Sequence, residues 1–95
     1  MGSKAPERYC ELVNGTILNA DAGETGRDLW IMFQDNTSMK SALTKLGSAE
    51  NMSRIVWHYP GGETVFEGYT EIHTIKMDYF RRINVRLRKS GDLEA

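Results

Sequence analysis

Arg82-Ile83-Asn84-Val85-Arg86-Leu87-Arg88-Lys89 is the stretch that decides the fold, because its apolar and polar residues alternate without a break. Ile83, Val85 and Leu87 fall on one face of an extended chain, and Arg82, Asn84, Arg86 and Arg88 fall on the other. A slip of one residue would bury three arginines, so the strand has one workable register. Strict alternation marks a strand with one wet face. Antiparallel sheets commonly hold such strands, whereas parallel sheets bury both faces.

Working back from this strand, the chain turns around Asp78-Tyr79. Residues 54–59 are rich in β-formers, Pro60-Gly61-Gly62 reads as a turn, and strand composition resumes at Glu63. Gly68 interrupts that second run and predicts a bulge or a close backbone approach. Further upstream, Leu29-Trp30-Ile31-Met32-Phe33 is a continuous apolar run, which predicts a strand buried on both faces.

A helix is predicted between these blocks. Asp35-Asn36-Thr37 offers N-caps, Met39, Ala42, Leu43 and Leu46 recur at helical spacing, and Lys40, Ser41, Thr44 and Lys45 take the opposite side. Gly47 stands where a C-terminal glycine belongs. Residues 48–53 read as polar connection, with Met52 tucked under. Near the start, Tyr9-Cys10-Glu11-Leu12-Val13 and Thr16-Ile17-Leu18 read as hairpin arms around a type I′ turn at Asn14-Gly15. Residues 19–28 are polar and glycine-containing and read as a long loop, and no internal repeat is visible. The expected fold is α+β: an antiparallel β-sheet of five to seven short strands with one α-helix packed across it and open edges. Residues 1–95 form a single domain, with 1–7 and 90–95 flexible.

Composition narrows the function classes. A net charge of −1 argues against a general polyanion binder. No run approaches the ~20 apolar residues of a membrane span, and the N-terminus lacks a secretory apolar stretch, so a cytoplasmic protein, or a part of something assembled in the cytoplasm, is expected. Cys10 is the only cysteine and reads as a small core residue. No serine stands in a glycine-flanked elbow beside a histidine, so no catalytic residue is assigned and the chain reads as a non-enzyme.

No cofactor or metal is expected either. His58 and His73 could meet Glu63, Glu67 or Glu71 across strands, but nothing has the spacing of a helical zinc motif, and both histidines read as strand residues. Pro60-Gly61-Gly62 lacks the lysine and following helix of a phosphate loop. Arg81, Arg82, Arg86 and Arg88 form a candidate basic surface, with Tyr79 and Phe80 beside them. Residues 51–95 nevertheless carry seven basic and six acidic groups, and Glu63, Glu67 and Glu71 are expected to pair with the arginines across the sheet. Nucleic acid is therefore not the expected partner. Ile55, Trp57 and Tyr59 alternate with Val56 and His58, so both faces of the central hairpin are partly apolar. Val56, Trp57, His58, Tyr59 and Tyr69 form the candidate protein interface.

The runs Arg54-Ile55-Val56-Trp57, Glu67-Gly68-Tyr69-Thr70-Glu71-Ile72 and Ile83-Asn84-Val85-Arg86-Leu87 resemble small structural or tail-associated proteins of tailed phages and prophages. The resemblance covers residues 29–89 and carries no catalytic residue. It implies a structural or accessory role, through sheet-edge and hydrophobic contacts with further copies of the chain or with virion proteins. A homo-oligomer is the expected state. The alternative is an anti-defence inhibitor that binds and blocks a host immune protein. The partner, its stoichiometry and the strand order stay open.

Overall fold

Leu29, Ile31 and Phe33 lie opposite Leu87, Val85 and Ile83 on neighbouring antiparallel strands, and all six are buried. This is the face that the alternation of residues 82–89 predicts, and it forms one wall of the core. The computed structural model describes residues 7–89, so the ends expected to be flexible lie, Glu7 apart, outside the described residues.

In chain order the elements are β1 (Tyr9–Glu11), β2 (Ile17–Leu18), β3 (Asp21–Thr25), β4 (Asp28–Phe33), α1 (Asn36–Lys45), α2 (Ala49–Met52), β5 (Arg54–Tyr59), β6 (Gly62–Glu67), β7 (Glu71–Met77) and β8 (Ile83–Arg88). They form two four-stranded antiparallel sheets, in the orders β2-β1-β5-β6 and β3-β4-β8-β7. The α+β class and the antiparallel pairing stand. The single sheet of five to seven strands is corrected to eight strands in two sheets.

Two local misreadings account for the difference. The expected loop at 19–28 is a hairpin, in which β3 supplies the small inward residue Ala22 and a Gly26-Arg27 turn closes onto β4. Gly26 has φ +61 at the first central position, as a type II′ turn requires. The expected continuous strand through Gly68 is two strands in different sheets. Gly68, at φ +91, donates its N–H to the Ser53 carbonyl at 2.9 Å, and Thr70 N–H then reaches the Arg88 carbonyl at 3.2 Å. Gly68 is thus the corner at which the chain changes sheets, and the Lys89 side chain lies close over it.

The first hairpin also departs from its expected turn. Gly15 N–H donates to the Leu12 carbonyl at 2.9 Å, and only Gly15 of this loop has positive φ. Val13 and Asn14 are therefore the central pair, and a type I′ turn on Asn14-Gly15, which needs positive φ at both, is excluded. Asn14 Oδ1 instead accepts the Thr16 N–H at 3.1 Å.

Asp35 caps α1 as the sequence predicts, accepting the Ser38 N–H at 2.7 Å. Met39, Ala42 and Leu46 are buried, and Leu43 is half-buried against the core. The helix does not lie across one sheet face. It touches β4 and β8 of the second sheet and borders Ile17 and Leu18 of the first, so it bridges the two. Gly47 has no positive φ. The Lys45 carbonyl at the helix end is instead taken by Asn51 Nδ2 at 2.7 Å, from the short α2 that the sequence read as connection. Met52 is buried, as expected.

The strand order conceals a repeat that the residues do not show. Exchanging β1–β4 with β5–β8 maps each sheet onto itself: β1 and β5 are the central strands of one, β4 and β8 of the other. Each half is hairpin, corner, hairpin.

Candidate interaction surfaces

The five residues of the candidate interface separate in the structure. Cys10 and Trp57 are cross-strand partners, and Ile55 partners Phe66, so Ile55 and Trp57 face the core. Tyr59 packs on Trp57 at 4.3 Å and shares a 2.9 Å hydrogen bond with Thr64 Oγ1. Tyr69 is a core residue, only 1% exposed, with its hydroxyl donating to Glu24 Oε2. It is not available to a partner. Val56 and His58 alone face outward, and Val56 is itself buried among its neighbours.

His58 is held where it stands. Its ring stacks on Tyr9 at 4.5 Å, Nε2 lies 3.0 Å from Glu11 Oε1, and Nδ1 lies 3.5 Å from Glu63 Oε1. The register explains this, since Tyr9, His58 and Glu63 occupy one row across β1, β5 and β6. His73 lies in the other sheet, with Nδ1 2.6 Å from Arg86 Nη2. The fold therefore does not bring the two histidines together. Among the described residues no group of three or more histidine, cysteine, aspartate or glutamate side chains is placed to hold a metal ion. Cys10 is buried with its Sγ 3.8 Å from the Ala20 carbonyl. Burial, helped by the nearby negative charge of Asp21, pushes its thiol up to about 12.

Of the three glutamates expected to face the arginines, Glu71 lies opposite Arg88 across β7 and β8. Glu63 and Glu67 belong to the other sheet, with Glu67 3.8 Å from Arg54. Arg86 Nη1 and Arg88 Nε instead donate to Asp28, at 3.2 and 2.9 Å. Partial desolvation alone would raise the Asp28 carboxyl, but the hydrogen bonds and positive charges of Arg88 and Arg86 hold it below its usual value. Arg82 lies 3.5 Å from Asp78, whose carboxylate also accepts the Phe80 and Arg82 N–H groups. Arg81, at φ +66, occupies the exposed turn. The loop-like composition of residues 19–28 hides Asp28 as a strand residue. Once it starts β4, the Leu29–Leu87 pairing brings it beside the arginines.

Trp30 and Met32, expected in the core, are half-buried on the outer face of the second sheet. Lys76 Nζ and the Arg86 guanidinium lie 5.3 and 5.6 Å from the Trp30 ring centroid. Two long cationic side chains thus cover an apolar surface while their charges stay wet.

An exposed apolar run extends from Tyr79 and Phe80, noted beside the arginines, back along β7. Ile75 (46% exposed), Met77 (61%), Tyr79 (87%) and Phe80 (64%) follow one another along β7 and its turn. Ile75 and Met77 lie opposite Val85 and Ile83, so they sit on the core side of the second sheet, beyond the reach of the first. Tyr79 and Phe80 pack on each other at 4.4 Å, and the Arg82 guanidinium lies over Phe80 at 5.4 Å. No protein family, curated protein or solved structure matches the chain.

Proposed function

We propose that the chain is a non-enzymatic structural or assembly protein that works by contact with other proteins. This is the role that its resemblance to structural and tail-associated proteins of tailed phages implies. The observation that carries it is the exposed apolar run Ile75, Met77, Tyr79 and Phe80 on a single hairpin. Large apolar side chains gathered on a small domain leave water to their gain when a partner covers them.

The site chemistry points the same way. Cys10 is buried and its thiol is held protonated, which suits a core residue rather than a nucleophile. His58 has a carboxylate at each ring nitrogen, which suits a paired strand residue. The basic surface carries its own counter-charges in Asp28 and Asp78, which lowers its attraction for phosphate. The apolar stripe of α1 is spent on the core, so nothing on that helix favours the inhibitor alternative.

A photo-crosslinking residue at Tyr79 tests the proposal, with one at the exposed Lys40 of α1 as control. The full chain is expressed in cells with the genes that surround it. Protein adducts at Tyr79 in excess of those at Lys40 are expected. Adducts to nucleic acid, or no excess, would sink the proposal. Fluorescence anisotropy with duplex DNA should give binding no tighter than about 1 µM at physiological salt.

A further inference from the structure

The interaction role proposed above leaves the partner open, and β7 itself narrows it. β7 ends the second sheet, so among the described residues its outer edge has no neighbouring strand. At seven residues it is also the longest of the four edge strands. Such an edge is a template for another strand.

The decisive feature is the register shift between Ile72 and Thr74. Ile72 lies opposite Leu87 and Ile75 opposite Val85, so both isoleucines are on the core side. Glu71 lies opposite Arg88 and Lys76 opposite Asn84, so both charges are on the outer side. In a regular strand, residues separated by an odd number of positions point to opposite faces. Ile72 and Ile75, and likewise Glu71 and Lys76, are odd-spaced. Only the extra residue at His73 puts each pair on one face.

That arrangement makes the strand complementary to itself. Two copies related by a dyad pair antiparallel, and a dyad between His73 and Thr74 sets residue 71 opposite residue 76 and residue 72 opposite residue 75. Glu71 then meets Lys76 of the second copy on the outer face, twice over, and Ile72 meets Ile75 on the core side, also twice. Directly opposed residues of an antiparallel pair share a face, and every one of these pairs obeys that rule. Charges and bulges on an edge normally repel a stranger. Here Glu71, opposite Arg88 in its own sheet, would gain Lys76 of this chain's own strand run in reverse. Lys76 is already held to the outer face over Trp30, so its position suits the pairing. The exposed side chains of Ile75 and Met77 lie on the core side, where Ile75 would stand beside Ile72 of the second copy.

We propose that a second copy of this chain docks along β7, antiparallel about a dyad between His73 and Thr74. The two second sheets join into one continuous sheet, with paired Glu71–Lys76 contacts fixing the register.

Sedimentation equilibrium of the full chain tests this, with Lys76→Glu, Glu71→Lys and the combined E71K/K76E exchange. The unaltered chain should dimerise at micromolar concentration. Either single change places like charges opposite each other twice and should weaken the dimer by about tenfold or more. The exchange restores opposite charges and should recover the affinity to within about threefold. These side chains are exposed, and equal melting of the variants at low concentration excludes a folding defect. A monomer at about 100 µM, or a dimer indifferent to the charge changes, overturns the proposal. If such a monomer still crosslinks through Tyr79 to another protein, the second copy is excluded and only the broader interaction role survives. No excess crosslinking at Tyr79 removes both.

Discussion

Ala22 and Ile75 occupy matching places in the two halves of the fold, and their surroundings could hardly differ more. Ala22 lies opposite Ile31 on β3, and Ile75 lies opposite Val85 on β7, while Ile31 and Val85 face each other across the two central strands. Yet Ala22 is 3% exposed and Ile75 is 46% exposed. β1 approaches β3, and the Ala22 methyl group is closed off from solvent. β7 has no such cover. The first half closes the core with small residues and a tight Gly26-Arg27 turn. The second repeats the pairing plan but extends past the first sheet, carrying its apolar side chains into solvent. One topology therefore serves enclosure in one half and presentation in the other.

The largest test of that contrast is at the shared centre. Ile31 is fully buried, so Ile31→Ala should cost about 2–5 kcal/mol, the range for emptying a buried aliphatic site. At about 4–8 °C per kcal/mol for a domain of this size, thermal unfolding should shift by about eight degrees or more. A shift of a degree or two would mean that the two halves do not share this core.

Exchanging the matched residues sharpens the comparison. Ala22→Ile overfills a closed site and should cost about 1–3 kcal/mol. Ile75→Ala should leave monomer stability within about 0.5 kcal/mol, as expected of an exposed position. Equal effects in chemical denaturation would show that the edges are packed alike.

The contrast also explains what the sequence disclosed. The alternation at 82–89 and the spacing of Met39, Ala42 and Leu46 were legible because one face of each element meets a single continuous core. β3 was not, because Asp21-Ala22-Gly23-Glu24-Thr25 has the composition of a loop and is a strand only by pairing with β4. The second sheet was hidden for a related reason. A corner needs only Gly68, and a lone glycine reads equally as a bulge. At the surface, Arg86 and Arg88 were correctly seen as paired, but their partner Asp28 lies about sixty residues away in sequence, where no local pattern reaches.

The two corners differ as the two strands do. Asn19 and Ala20 turn the first without positive φ, whereas Gly68 turns the second at φ +91. Gly68→Ala should cost about 1–2 kcal/mol for backbone strain, since the nearest obstruction is only the movable end of Lys89. Ala20→Gly involves no such strain, and should cost about 1–2 kcal/mol through chain entropy and one lost buried methyl group. A Gly68→Ala urea midpoint equal to that of the unaltered chain would show that the second corner needs no left-handed residue.

The smallest expected effect is on acid stability, and it separates a contact between halves from one within a hairpin. Asp28 belongs to the first half and holds Arg86 and Arg88 of the second; Asp78 holds Arg82 inside the β7–β8 hairpin. For both, desolvation opposes the shift, yet hydrogen bonds and arginine charges leave the carboxyl below its ordinary value of 3.8. A group whose folded value is depressed binds its proton more readily when unfolded. Its stabilisation is therefore complete above the unfolded value, and it is lost as pH falls from there through the folded value. Melting temperature should accordingly be insensitive to these two carboxylates from neutrality to about pH 5, then decline toward pH 3. Asp28→Asn should flatten part of that decline and loosen amide protection in β4 and β8 together, because the lost contact joins them. Asp78→Asn should flatten part of it while raising exchange only around the β7–β8 turn. If Asp78→Asn instead loosens β4, the exposed hairpin is coupled to the first half, and the division between enclosing and presenting halves is wrong.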